Sequence, residues 1–185
     1  MVATETPICN FGWKAPDFDL PGVDGKRHRL AELRGEKGTL VMFICNHCPY
    51  VKAVLDRIVR DARELAAEGV ASVAIMSNDP GVYAEDSFDN MRRVAHEKDF
   101  PFPYLYDETQ AVAKAYGAAC TPDFFGFDSA LGLQYRGRLD ESGMRAVPGA
   151  RRELFEAMIR VARSGKGPEA QIPSIGCSIK WRGDD

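Results

Sequence analysis

Leu40-Val41-Met42-Phe43-Ile44-Cys45-Asn46-His47-Cys48-Pro49-Tyr50-Val51 is the stretch whose reading decides the fold. Its first five residues form an apolar run of buried-strand length, and an amphipathic pattern begins after Pro49. Proline suits the first position of a helix, so Cys48 falls at or beside the helix N-cap. Unpaired backbone N–H groups and the positive end of the helix dipole converge there and favour thiolate over thiol. A nucleophilic cysteine at a strand-to-helix junction is therefore expected at Cys48.

Downstream, Val51, Val54, Leu55, Ile58, Val59, Ala62, Leu65 and Ala66 recur at intervals of three and four, which predicts a helix with one buried face, ended by Gly69. A second apolar run over 70–76 follows, so strand, helix and strand imply a parallel pair with a right-handed crossover. Ligand sites in such sheets lie at the carboxyl ends of the strands, where Cys45 to Cys48 falls. Upstream, Asp24-Gly25 between alternating segments predicts a small hairpin. Further on, the pattern predicts a helix over 86–98 capped by Asp86 or Ser87, a short strand over 104–106 and a short helix capped by Thr109. Strands over 123–128 and 133–139 then pair as a hairpin, and a helix over 151–164 stops at Gly165. Residues 1–165 read as one domain and 166–185, with two prolines and no long periodicity, as an extended tail.

With 185 residues the chain is long enough for one substantial core. A formal charge of −3, from 24 Lys and Arg against 27 Asp and Glu, offers no polybasic footprint for nucleic acid or an anionic membrane. The first residues show no basic or apolar targeting pattern and no segment is apolar enough to span a bilayer, so a cytoplasmic location is expected. Five cysteines are too few for a disulfide scaffold in a chain this size, which leaves them reactive, metal-binding or simply buried.

Several motifs together carry a family resemblance: Ala15-Pro16-Asp17-Phe18, Phe43-Ile44-Cys45-Asn46-His47-Cys48-Pro49-Tyr50-Val51-Lys52, Tyr116-Gly117, Thr121-Pro122 and the tail Ile175-Gly176-Cys177-Ser178-Ile179-Lys180-Trp181. The chain resembles the AhpC/TSA peroxiredoxin-like redoxins of the thioredoxin fold. The resemblance implies an α/β architecture, a central mixed β-sheet flanked by helices with an N-terminal β-hairpin extension. It also implies thiol chemistry on a disulfide or a hydroperoxide, with a thiol electron donor as partner. Some positions depart from the family patterns. A thioredoxin-like second cysteine after Cys48 would fall on Val51, and the peroxidatic pattern would want a hydroxyl at Cys45 and a proline at Val41.

Cys48 is thus the first candidate nucleophile, and the literal Cys45-x-x-Cys48 spacing offers Cys45 as the alternative, with Cys48 as its resolver. The resemblance places Cys120, next to a Thr121-Pro122 bond expected to be cis, near the active cysteine. Cys120 is therefore the leading resolving candidate, before Cys45 and then Cys177. A cis bond would leave the backbone of Thr121 open to an extended peptide, so Thr121, Pro122, His47 and Pro49 are the expected substrate-binding residues. A cationic His47, and Lys52 one turn into the helix, would each lower the pKa of Cys48, the alternatives being a solvent-facing loop histidine and an ordinary surface lysine. A zinc site from Cys45, His47, Cys48 and Cys177 lacks a second ligand pair, so neither metal nor cofactor is expected. His28 and His96 suggest no hydrolase triad. Two function classes follow: a thiol-dependent oxidoreductase or peroxidase-like antioxidant enzyme, and a redox-sensing or peptide-binding module without turnover. The apolar tail and the Phe-rich hairpin also offer a face on which a second copy could form a homodimer.

Overall fold

The computed structural model describes residues 3–183. Along the chain lie β1 (Ala3–Glu5), β2 (Asp19–Pro21), β3 (Arg27–Arg29), α1 (Leu30–Leu33), β4 (Gly38–Phe43), α2 (Pro49–Ala67) and β5 (Val70–Met76). There follow α3 (Phe88–Glu97), β6 (Tyr104–Tyr106), α4 (Ala111–Tyr116), β7 (Cys120–Thr121), β8 (Asp123–Asp128), β9 (Leu133–Tyr135), α5 (Glu153–Ser164) and β10 (Ile175–Ser178). Five strands form the central sheet in the order β6-β5-β4-β8-β9. β4 runs parallel to β5 and antiparallel to β8, so the sheet is mixed, and β2 and β3 form the N-terminal hairpin around Gly25. This is the expected thioredoxin-like arrangement.

The alternation of side chains along a strand explains why β4 reads as a continuous apolar run. Leu40, Met42 and Ile44 pack with Ile58 and Leu65 of α2 and Met158 of α5. Val41 and Phe43 belong to the opposite layer, with Tyr116, Phe125 and Phe127. Both faces of the strand are therefore buried, and each such large side chain contributes roughly 1.5–3 kcal/mol of burial free energy. Sandwiching between two apolar layers fixes the end of β4, and with it the position of the Cys45–Cys48 loop.

Three local differences from the sequence expectation have visible causes. Thr109 serves α4 only in part: its hydroxyl accepts from the first helical N–H, that of Ala111 (3.4 Å), while the Asp107 carboxylate accepts from those of Val112 (3.3 Å) and Ala113 (2.9 Å). β9 ends at Tyr135 rather than continuing to residue 139, because Arg136 turns inward to the buried Asp123 carboxylate (2.9 Å) and stacks over Phe125 (4.3 Å to the ring centroid). The tail is extended as expected, but 175–178 are docked as β10 between β1 and β7 in a second, three-stranded antiparallel sheet. Among the described residues, no helix is long and apolar enough to cross a membrane.

Candidate active site

Cys48 is the N-cap of α2, with extended backbone angles (φ −64°, ψ 123°) and Pro49 at the first helical position. The sharp exit from β4 brings its sulfur against the loop before β8, where the Thr121-Pro122 bond is cis. The Cys48 thiol donates to the Thr121 carbonyl at 3.2 Å, and its Sγ lies 2.9 Å from Cys177 Sγ on β10. A disulfide bond is about 2.05 Å, so the two sulfurs are in contact but not bonded, and both cysteines are free thiols. Cys45 lies on the other side, with its sulfur 3.2 Å from the Thr121 hydroxyl. Cys45, Cys48, Thr121 and Cys177 are all buried.

These neighbours divide the thiols electrically. Hydrogen bonding from the Cys45 thiol is the largest influence on Cys48; burial opposes it, and donation from Cys177 and the amides of Val51 and Cys177 adds to it, bringing the pKa down to about 4. The sulfur makes no regular cap hydrogen bond, yet the Val51 N–H at the helix start still favours the anion. Ionisation gives up the bond to the Thr121 carbonyl and gains those from the two thiols. Cys45 moves the opposite way, since burial, its bond to Cys48 and the Asp86 charge all hold it protonated. Burial and the Cys48 charge push Cys177 up to about 12. Burial likewise raises Cys120 far above the usual thiol range.

Ultraviolet titration of the reduced protein should therefore show one thiolate per chain at neutral pH, lost as the pH falls through about 4. The folded pKa is depressed, so the stability that Cys48 contributes is complete above the unfolded thiol value near 8.5 and declines as pH falls towards 4. A single thiolate that disappears near pH 8 would contradict this arrangement.

The loop preceding Cys48 is held by a residue whose role was not apparent from local sequence. Asp86, at the end of a short 3-10 turn (Ala84–Asp86), is fully buried. Its Oδ1 accepts from the backbone N–H of Asn46 (2.7 Å) and His47 (3.1 Å); its Oδ2 meets His47 Nδ1 (2.5 Å) and accepts from Asn78 Nδ2 (3.0 Å). Burial works to raise the Asp86 pKa, but the bonds from His47, Asn78 and Asn46 prevail and hold it below its ordinary value. Asn46 is fixed in turn by Tyr104, whose hydroxyl donates to Oδ1 at 3.0 Å, and by its own bond to the Glu85 carbonyl at 2.9 Å.

His47 therefore does not stand at the sulfur as a cationic activator. Its ring faces Asp86 and stacks on Tyr83 at 3.9 Å. Lys52 has an exposed side chain, as an ordinary surface lysine would. Pro49 sets the helix start, and Thr121 and Pro122 lie beside the sulfur as expected. The backbone of Thr121, expected to be open to a peptide, is instead paired with Cys177 of β10. Cys120 is adjacent to Thr121 in a strand, so alternation directs its side chain away; its sulfur contacts the Pro122 carbonyl at 3.6 Å. Sequence reasoning put Cys120 first, Cys45 second and Cys177 third as partners for Cys48, whereas the thiols in contact with it are those of Cys177 and Cys45. Gly176 was a usable signal, because a Cβ there would lie 2.1 Å from the Thr121 carbonyl oxygen, a requirement for close strand approach. Cys9 is apart in the N-terminal arm, half-buried, and burial raises its pKa to about 11.

The donor set that converges for a metal also differs from the four residues considered from sequence. Cys45, His47 and Asp86 bring ligand atoms within 4.8 Å of one another, all buried. The Asp86 oxygens are already taken by the Asn46 and His47 backbone, the His47 ring and the Asn78 amide, so these residues fit a structural clasp better than a metal centre.

Comparison with known proteins agrees with the sulfur chemistry of this site. The AhpC/TSA family profile matches residues 11–138. An uncharacterized conserved protein from Geobacillus kaustophilus has a crystal structure that superposes with a TM-score of 0.93 at 48% identity, covering 100% of this chain and 99% of that one. A hypothetical protein from Sinorhizobium meliloti 1021 gives 0.90 at 38% identity over 97% and 99% of the respective chains. Thiol-disulfide oxidoreductase ResA of Geobacillus thermodenitrificans (strain NG80-2) is 27% identical over 125 residues, 68% of this chain and 67% of that protein. With its profile matched across most of the length and the cysteine at the helix start in place, the chain belongs to the AhpC/TSA family.

Proposed function

We propose that Cys48 is the nucleophile of a thiol-based oxidoreductase and that Cys177 closes its cycle. The observation that carries this is the 2.9 Å contact between the Cys48 sulfur, at a helix N-cap, and a second thiol 129 residues away in sequence. Family membership and the activity named for the ResA relative support thiol redox turnover over a sensor that never turns over.

With a hydroperoxide, the Cys48 thiolate attacks the terminal oxygen, the O–O bond breaks, and the departing alkoxide takes a proton; Cys48 becomes a sulfenic acid and the peroxide is reduced by two electrons. Cys177 then attacks the Cys48 sulfur, forming a disulfide, and its proton leaves with the hydroxyl group as water. With a small disulfide, Cys48 attacks one sulfur and the other leaves as a thiolate. Cys177 then displaces the second, which takes up its proton. Both routes end in a Cys48–Cys177 disulfide, and a dithiol donor returns it to two thiols. At pKa about 4 the Cys48 sulfur is a weak attacking nucleophile for its class but a good leaving group, which favours that last reduction.

Mass mapping after one equivalent of hydrogen peroxide tests the scheme. A Cys48–Cys177 bridge is the expected product; a Cys48–Cys120 bridge would reinstate Cys120 as the resolving residue, and an unmodified Cys48 would remove the nucleophile altogether.

An antioxidant role and a cytoplasmic location belong to the same proposal. The sparse cysteine content supports the location, which cell fractionation would check. A homodimer is also proposed, but not on the Phe-rich hairpin, whose Phe124, Phe125 and Phe127 are buried in the core; the exposed apolar side chains are Ile172 and Ile175 of the tail with Met144 and Val147, and sedimentation is its measure.

A further inference from the structure

The geometry points to 175–178 as a built-in occupant of the substrate edge beside Cys48, restricting the protein to small oxidants and excluding polypeptide disulfides. This rests on Cys48 being the reacting sulfur. A polypeptide disulfide has to bring one of its sulfurs into contact with Cys48, and an extended segment reaches a buried site most readily by adding to a strand edge. The edge nearest the sulfur is that of β7, whose Thr121 carbonyl lies 3.2 Å from Cys48 Sγ. β10 already pairs with it, antiparallel, with Cys177 opposite Thr121 and Ser178 opposite Cys120. Cys177 thus presents its sulfur to Cys48 as a substrate cysteine would.

The occupant is fastened on every side. β1 pairs with its outer edge, Ala3 opposite Cys177 and Glu5 opposite Ile175. Ahead of the strand, Ser174 donates through its hydroxyl to the Pro122 carbonyl at 2.9 Å, and its N–H donates to the Thr6 hydroxyl at 3.1 Å. Beyond it, the Lys180 N–H donates to Asn78 Oδ1 at 2.9 Å, the Lys180 carbonyl accepts from Gln110 Nε2 at 2.8 Å, and Ile179 is buried in the second core layer. A polypeptide has to displace all of these before it can pair with Thr121. A peroxide or a short disulfide needs only enough local loosening to touch the sulfur.

Gly176 is the point at which this arrangement can be broken. Its added Cβ would fall 2.1 Å from the Thr121 oxygen and 2.6 Å from the Thr121 carbonyl carbon, both backbone atoms, so Gly176→Ala forces β10 off β7 while leaving every cysteine in the chain. Rapid-mixing oxidation of the reduced intact protein, with mass mapping of Cys48, compares hydrogen peroxide, 2-hydroxyethyl disulfide and insulin. Insulin is expected to react about 100-fold more slowly than 2-hydroxyethyl disulfide, a gap set by the opening of a docked strand. In Gly176→Ala the insulin rate should rise about tenfold or more towards that of the small disulfide. Insulin reacting with the intact chain as fast as 2-hydroxyethyl disulfide would overturn the inference alone. Inertness of Cys48 towards all three reagents would overturn the nucleophile assignment as well. Amide exchange over residues 174–179 of the intact reduced chain tests the same point without a variant: slow exchange is expected, and exchange as fast as in an unstructured peptide would overturn it.

Discussion

Cys48→Ser is expected to lower turnover of hydroperoxide or small disulfide by at least about 10³-fold, because a serine hydroxyl is neither ionised at neutral pH nor able to form a disulfide. The replacement exchanges sulfur for oxygen at a buried position and gives up the stability that the ionised thiol adds at neutral pH, so the fold should be kept with a loss of stability that vanishes as pH falls towards 4, and the loss of turnover should lie in the chemistry. Cys177 variants separate the two half-reactions. Cys177→Ser keeps a hydrogen-bond donor beside Cys48, so the first oxidation should proceed at a rate within about tenfold of the parent while the protein then accumulates as a sulfenic acid or mixed disulfide. Cys177→Ala removes the donor too, and the Cys48 pKa should move up from about 4. Single-turnover mixing with mass detection distinguishes these states. Full steady-state turnover in Cys177→Ala would mean that another thiol, Cys45 or Cys120, resolves Cys48.

The parts of this site that were legible in the sequence are those encoded by neighbours along the chain. The apolar run of β4 and Pro49 placed Cys48 at the helix start, and the second strand was read with the bounds observed, Val70–Met76. The partner of Cys48 was not legible in this way. Cys177 sits in a four-residue strand whose docking depends on pairing with β1 and β7, contacts between 56 and 174 residues from home that no local period encodes. The role of His47 was left open for a related reason. Sequence proximity allowed either a cation beside Cys48 or a solvent-facing loop histidine, whereas the ring is buried against the carboxylate of Asp86, 39 residues onward. The helix-start argument ranked Cys48 ahead of Cys45 as nucleophile, but the surroundings that divide them lay outside it: burial and the Asp86 charge keep Cys45 protonated, while donated hydrogen bonds ionise Cys48. What separates them is the direction of each hydrogen bond, a property of the assembled fold.

Asp86 is also where the largest loss of stability is expected. Its carboxylate serves the backbone N–H groups of Asn46 and His47, the His47 ring and the Asn78 amide, all in a fully buried setting. Asp86→Ala strands these donors without water and opens a cavity, so urea unfolding should show a loss of about 3–5 kcal/mol. Asp86→Asn keeps the volume and one oxygen acceptor for the two backbone groups. The new NH₂ then faces His47 Nδ1 and Asn78 Nδ2, so the ring must change tautomer and Asn78 must turn, a smaller loss of about 1–3 kcal/mol. The pH dependence has a definite sign. Asp86 is depressed below its ordinary value in the folded protein, so its contribution is present at neutral pH and is lost as pH falls through that lowered pKa. The gap between parent and Asp86→Asn should therefore narrow in acid. It should also be accompanied by a change at the sulfurs, because the Asp86 charge helps to keep Cys45 protonated. Removing that charge should bring the Cys45 pKa down and weaken the distinction between the two thiols. An Asp86→Asn protein with parental stability and an unchanged thiol titration would show that the clasp is not what positions the Cys48 loop.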